Sequence, residues 1–172
     1  SENYPKKLLD LDLPPYILFC KGDISLLNTR CFGIVGSRVP TAYGRTVTQS
    51  FARGLAENGL TIVSGLAMGV DKIAHETTLD VGGKTIAVLG GGFKHIYPAM
   101  NENLANSIIE KGLLVSEYRP SVRPTAYSFP VRNRIIAGLS DGILITEAGE
   151  KSGALHTKEY SLECGRDVFA VP

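Results

Sequence analysis

The sequence predicts an α/β fold, a doubly wound and mostly parallel sheet with helices on both faces. Three observations predict it. Short β-branched runs are apolar on both sides, amphipathic stretches alternate with them, and a glycine follows most of those stretches.

The runs are Cys31–Val35, Thr61–Val63, Thr85–Leu89, Leu113–Ser116, Ile143–Thr146 and Asp167–Val171. Such runs suit strands buried between two helical layers. After the first run, Val47, Phe51 and Leu55 recur at helical spacing and predict a helix resting on that stripe, ended by Gly59. Val70, Ile73, Ala74 and Val81 line a second helix, closed by Gly82-Gly83. Leu104, Ile108 and Ile109 line a third, closed by Gly112; each glycine is the expected left-handed cap. Ile135, Ile136 and Leu139 predict a fourth helix, and Leu155 with Leu162 a fifth that ends at Gly165. Residues 1–30 hold Pro14-Pro15 and the apolar run Ile17–Cys20. They read as a lead-in segment packed on the core with one added strand, which leaves 31–172 as a single domain.

With 172 residues, the chain can bury about 70% of its unfolded surface and needs no disulfide or metal for stability. Cys20, Cys31 and Cys164 form neither a disulfide framework nor a metal knuckle, which fits a reducing cytoplasm. No apolar run approaches the roughly 18 residues of a membrane span, and no signal peptide opens the chain. A net charge of +1 excludes a globally basic nucleic-acid binder but not a local basic site.

Charge is in fact segregated. Ile24–Ala56 contains no acid but has Arg30, Arg38, Arg45 and Arg53; Tyr118–Ser140 contains no acid but has Arg119, Arg123, Arg132 and Arg134. Ligands of open parallel sheets bind beyond the carboxyl ends of the strands, so the turns there matter most. Three of them are glycine-rich: Gly33-Ile-Val-Gly36-Ser37-Arg38, Ser64-Gly65-Leu66-Ala67-Met68-Gly69, and Gly90-Gly91-Gly92. Glycine lets backbone N–H groups face a phosphate and a helix N-terminus adds partial positive charge, so the three turns predict an anion-binding ledge around Arg38. The alternative is that these glycines only permit tight geometry. Tyr127–Arg134 places aromatic rings beside guanidinium groups, which suits single-stranded nucleic acid. Equally, Phe129 belongs to the core and Arg132 or Arg134 pairs with Glu117 or Glu147.

Other motif matches fail on context. Gly83-Lys84-Thr85 ends like a phosphate-binding loop, but Thr78 replaces its first glycine and a strand follows. Gly138-Leu-Ser140-Asp-Gly142 matches a nucleophile elbow, yet the order is helix, serine, strand. His95 stands where a dinucleotide fingerprint needs its third glycine, and His75, His95 and His156 make no metal pair. Asp71 and His75 share one helical face; favouring the helix N-terminus and bonding locally is the simpler role for them than acid–base work. No catalytic residue, metal or cofactor is expected.

Eight blocks in order give a resemblance over nearly the whole chain. They include Ile34-Val-Gly36-Ser37-Arg38 with Thr41, Ser64-Gly65-Leu66-Ala67 with Gly69-Val-Asp71, and Phe129-Pro-Val-Arg132-Asn133-Arg134. Also among them are Ile96-Tyr97-Pro98, Glu147-Ala148, Lys151-Ser152-Gly153 and Gly165–Pro172. The chain resembles the DNA processing protein A (DprA, also called Smf) family of bacterial natural transformation. The resemblance implies an extended Rossmann-like core in a cytoplasmic, non-catalytic homodimer. It also implies a protein that binds and protects incoming single-stranded DNA and helps load the RecA recombinase. The family's flanking helical and winged-helix domains do not fit within this chain, which reads as the core alone.

Carried over, the family's DNA pocket points to Gly36, Ser37, Arg38 and Thr41, to Gly65, Leu66 and Ala67 of the second turn, to Phe129, Arg132, Asn133 and Arg134, and to Lys151 and Ser152. Ala126 departs from a basic residue found in some members, and Arg123 is the nearest substitute. The alternative is a nucleotide-binding or phosphoribohydrolase-like Rossmann protein, disfavoured because Glu147–Gly153 lacks the Pro-Gly-Gly of those enzymes.

Overall fold

β-branched residues dominate the short apolar runs, and each run pairs as a strand. The computed structural model describes residues 4–172. Its strands are β1 (Phe19–Gly22), β2 (Cys31–Val35), β3 (Thr61–Ser64), β4 (Thr85–Val88), β5 (Leu113–Ser116), β6 (Gly142–Ile145) and β7 (Asp167–Ala170). They form one sheet in the order β1-β5-β4-β3-β2-β6-β7. Only β1 is antiparallel, with Phe19 opposite Ser116 on β5. Strands β3, β4, β5 and β6 are buried along their whole length, as two covered faces require.

The helices are α1 (Ala42–Glu57), α2 (Val70–Asp80), α3 (Glu102–Lys111), α4 (Ser128–Leu139) and α5 (Ala154–Glu163). Right-handed crossovers set α1, α2 and α3 on one face and, after the chain turns back from β5 to β6, α4 and α5 on the other. Ile34, Ile62 and Leu144 pack towards α1 and α2, while Val35, Val63, Ile143 and Ile145 pack towards α4. The lead-in closes that second face. A 3-10 turn at Lys6–Asp10 puts Leu8 and Leu11 against Gly138 of α4, where a side chain would have no room. The first three residues of the expected lead-in lie outside the described residues.

Two helices are rotated from the sequence expectation. In α1 the buried line is Gly44, Thr48, Ala52 and Ala56, whereas Phe51 is 46% exposed. In α5 it is Ala154, Thr157 and Ser161, whereas Leu162 is 58% exposed. Both helices lie close to their neighbours, so small residues and hydroxyls take the contact. Thr48 bonds across to Thr146 at 2.7 Å. Gly112 departs too: its φ is −147°, and it is glycine because a Cβ would strike the Thr85 carbonyl.

The chain reverses its direction of travel between β2 and β6. That switch point opens a crevice at the carboxyl ends of these two strands.

Candidate nucleic-acid interface

A cavity of about 510 Å³ occupies the crevice. The segment after β2 (Gly36, Ser37, Arg38), the start of α4 (Phe129, Arg132, Asn133) and the segment after β6 (Lys151, Ser152) line it, with Ala67 and Ala126 between them. Arg38 and Lys151 are both exposed, and neither forms an ion pair among the described residues. Phe129 forms part of the wall. Its ring lies 5.9 Å from the Arg38 guanidinium, 5.7 Å from that of Arg132, and 5.3 Å from the Tyr97 ring.

The glycine turns do not form the expected ledge of free N–H groups. After β2, the Ser37 N–H donates to the Glu147 carbonyl at 2.7 Å. The Glu147 carboxylate accepts from the Thr41 N–H and, at 2.6 Å, from its hydroxyl. Thr41 in turn accepts from the Gly44 N–H, so the N-terminus of α1 already holds an anion of the protein's own. Thr41 is therefore a cap and does not line the cavity.

After β3, the Gly65 N–H donates to Asp71 and the Leu66 N–H to His75. After β4, Gly90 lies under the Phe129 ring and Gly91 against Pro124, each too close for a side chain. Close approach is what these glycines serve. One helix N-terminus does open on the cavity: Gly153 and Ala154 of α5 line it, and no acid stands in the first turn.

The arginines of the Arg-Asn-Arg motif have separate fates. Arg132 is 4% exposed and donates from one nitrogen to the carbonyls of Gly65 (2.7 Å) and Val88 (2.6 Å). Burial pulls it down to about 10, against the pull of Asp71 in the other direction. Burial likewise raises the Asp71 carboxyl above its ordinary range, while Arg132 opposes the rise. Arg132 thus braces the β3 turn from behind and shows the cavity only part of its surface. Arg134 points away altogether. It forms a fork with Glu117 at 2.9 and 2.6 Å and donates to the Leu13 carbonyl, tying α4 to the lead-in.

Asn133 lines the cavity, accepting from Arg132 and donating to the Gly153 carbonyl. Leu66 is fully buried and takes a positive φ of 58°; His75 holds its N–H and Asn101 its carbonyl.

His75 is buried and neutral, pushed down to about 3 chiefly by burial. The Thr85 hydroxyl donates to the Ile62 carbonyl, so the His75 Nδ1–H donates to Thr85 and Nε2 accepts from Leu66. With both nitrogens used, His75 is a support of the turn.

Sequence reasoning missed three contributors: Glu147 as the anchor of the first turn, Asn101 as a prop of the second, and Tyr97 as the aromatic partner of Phe129. Glu147 and Tyr97 stand in the recognisable blocks, but nothing in their spacing marks these contacts. Among the described residues no group of His, Cys, Asp or Glu could hold a metal ion, and no helix is long and apolar enough to cross a membrane.

The family model for DNA recombination-mediator protein A matches residues 1–172. The chain belongs to this family. It is 46% identical to the DNA processing protein DprA of Bacillus subtilis over 100% of its own length and 58% of that protein's. The structure of DNA processing protein A from Streptococcus pneumoniae superposes with a TM-score of 0.96 at 45% identity, covering 100% of this chain and 60% of that one. The Helicobacter pylori protein, whose structure describes a single-stranded DNA binding mode, superposes with a TM-score of 0.93 at 39% identity, covering 100% of this chain and 79% of that one. The chain thus spans about half the length of the curated relatives it matches.

Proposed function

We propose that this chain binds single-stranded DNA in the crevice between β2 and β6, as part of a protein that protects incoming DNA in natural transformation and helps RecA load onto it. The observation that carries the reading is the pairing of two unneutralised cations, Arg38 and Lys151, across an open cavity walled by Phe129. Cations placed so take phosphates, the N-terminus of α5, with no acid in its first turn, adds to their field, and an aromatic edge takes a base or sugar. The Helicobacter pylori relative, which has a single-stranded DNA binding mode, supports the same ligand class.

The binding is sequence-independent, because the contacts are to backbone charge and ring faces. A duplex is disfavoured, because its paired bases keep their faces stacked. One crevice grips few nucleotides, so a homodimer on one strand gains avidity. The reading includes a cytoplasmic location and no covalent chemistry. In support of the latter, the Glu147 carboxylate is engaged with Thr41, and His75 is buried with both nitrogens bonded.

The test is titration of a fluorescent oligo-dT strand at several salt concentrations, with duplex and AMP as competitors. Binding is expected to weaken with salt by about 0.7 log units per log unit of salt for each phosphate contact, and duplex is expected to compete poorly. Competition by AMP without strand binding would replace this reading with a small-nucleotide pocket.

A further inference from the structure

A second cleft, of about 380 Å³, lies farther along the same edge of the sheet, between the segments that follow β4 and β5. The hydrogen bonds that build it are backbone ones: Gly92 N–H to the Val122 carbonyl at 2.8 Å and Lys94 N–H to the Pro120 carbonyl at 3.0 Å. Gly92 sits so close to the Arg119 and Pro120 carbonyls that a Cβ would not fit, which fixes the floor. Lys94 and Arg123 rise from the two sides, exposed, and neither forms an ion pair among the described residues. The His95 and Tyr97 rings line the cleft, and Tyr97 is 56% exposed. Glu102, at the start of α3, is its one acid.

The two clefts are not separate. Tyr97 lines the second cleft and also two small cavities that lead from it to the first, and Phe129 lines those two and the first. The Tyr97 and Phe129 rings, 5.3 Å apart, form the ridge between. From the β6–β2 gap to the β4–β5 gap is three strand spacings, about 14 Å, which a few nucleotides of extended strand can span.

We propose that the cleft around Lys94 and Arg123 is a second subsite for the same DNA strand. The strand leaves the first cavity, crosses the Tyr97–Phe129 ridge, and sets its next phosphates against Lys94 and Arg123, with a base on Tyr97 or His95. Glu102 opposes the phosphates and holds affinity down. This rests on the proposed function, since it extends the strand held by Arg38 and Lys151. It also separates two neighbours in sequence: Ala126 borders the first cavity, whereas Arg123 serves the second.

The test compares a dinucleotide, dT2, with dT8 on four forms of the chain: the parent, Arg38→Ala, the double variant Lys94→Ala with Arg123→Ala, and Glu102→Gln. Thermal melting checks that each is folded. The double variant is expected to bind dT8 about tenfold more weakly, with the salt slope reduced by about 1.4 for two lost contacts, and to bind dT2 as the parent does. Glu102→Gln is expected to tighten dT8 alone. Arg38→Ala is expected to weaken both ligands. Unchanged dT8 affinity and slope in the double variant, with Arg38→Ala still defective, would overturn the second subsite and leave the proposed function standing. Absence of strand binding by the parent would overturn both.

Discussion

The turns after β2 and β3 look alike in sequence, each with glycines, a small polar residue and an acid that follows in space or in chain. They are built for different work. The β3 turn is closed: Asp71, His75, Asn101 and Arg132 together occupy donors and acceptors of Gly65 and Leu66. The β2 turn is held by Glu147 at Ser37 and Thr41 and by the Val70 N–H at the Ser37 carbonyl, but it leaves Arg38 without a carboxylate. The difference is that a cation whose bonds are all made inside the fold supports a site, while a cation left unpaired at a crevice is available to a ligand. Two arginines that look equivalent in a basic segment therefore belong to different problems, one of stability and one of binding.

Substituting each in turn would break or sharpen that contrast. Arg132→Ala leaves Asp71 buried without its counter-charge and the Gly65 and Val88 carbonyls without their donor, and is expected to cost about 3–5 kcal/mol. Urea denaturation measures it, and a loss under 1 kcal/mol would show that the β3 turn does not depend on this brace. Arg38→Ala should do the reverse. A lost charged contact weakens oligo-dT binding by about ten- to a hundredfold, while unfolding stability stays within about 0.5 kcal/mol. A variant that binds as tightly as the parent would remove Arg38 from the interface.

How far was this legible beforehand? The strands were, because an interior parallel strand must be apolar on both sides and few other segments are; β2 and β5 fall on the expected residues. The edge of the sheet that carries the site was, since ligands of open parallel sheets bind beyond the carboxyl ends of the strands; the strand order, and with it the switch point between β2 and β6, was not. The roles of the site residues were legible only in part: local bonding by Asp71 and His75 was the simpler reading, and an Arg134–Glu117 pair was one of two open ones. Arg132, Asn133 and Arg134 are consecutive, and a helix turns about 100° per residue, so adjacent members of one motif face a buried turn, a cavity and the lead-in. Only packing separates these. The glycines misled for a related reason: a tight backbone that offers N–H groups and a tight backbone that lets a ring approach read the same. Gly90 under Phe129 is the second kind.

The closed turn also sets a pH response. His75 stays neutral in the folded chain, held down to about 3 from an ordinary 6.5. The unfolded chain takes up the proton first, so its contribution is complete above pH 6.5 and is lost as pH falls from there toward 3. Each unit costs up to about 1.4 kcal/mol, hence about 2 kcal/mol between pH 6.5 and 5. Asp71, raised by burial, acts in the opposite sense above its ordinary range. A comparison with His75→Gln isolates the histidine, whose removal should flatten the fall of the urea midpoint over pH 5 to 6.5. NMR supplies the second check: the His75 imidazole should keep its neutral shifts at pH 5, and titration near 6.5 would show that the turn is open to solvent.

The smallest effect belongs to the residue that looked most like core. Phe51 lies on the apolar stripe with Val47 and Leu55, and a stripe turned inward would make its truncation cost about 3–5 kcal/mol. The contact face of α1 is instead Gly44, Thr48, Ala52 and Ala56, because the helix approaches the sheet too closely for large side chains, and Phe51 remains 46% exposed. Phe51→Ser is therefore expected to shift unfolding by no more than about 0.5 kcal/mol and to leave DNA binding unchanged. A multi-kilocalorie loss would mean that Phe51 is covered in solution by something the isolated chain does not show, and its dependence on protein concentration would then distinguish a second copy from a change within the chain.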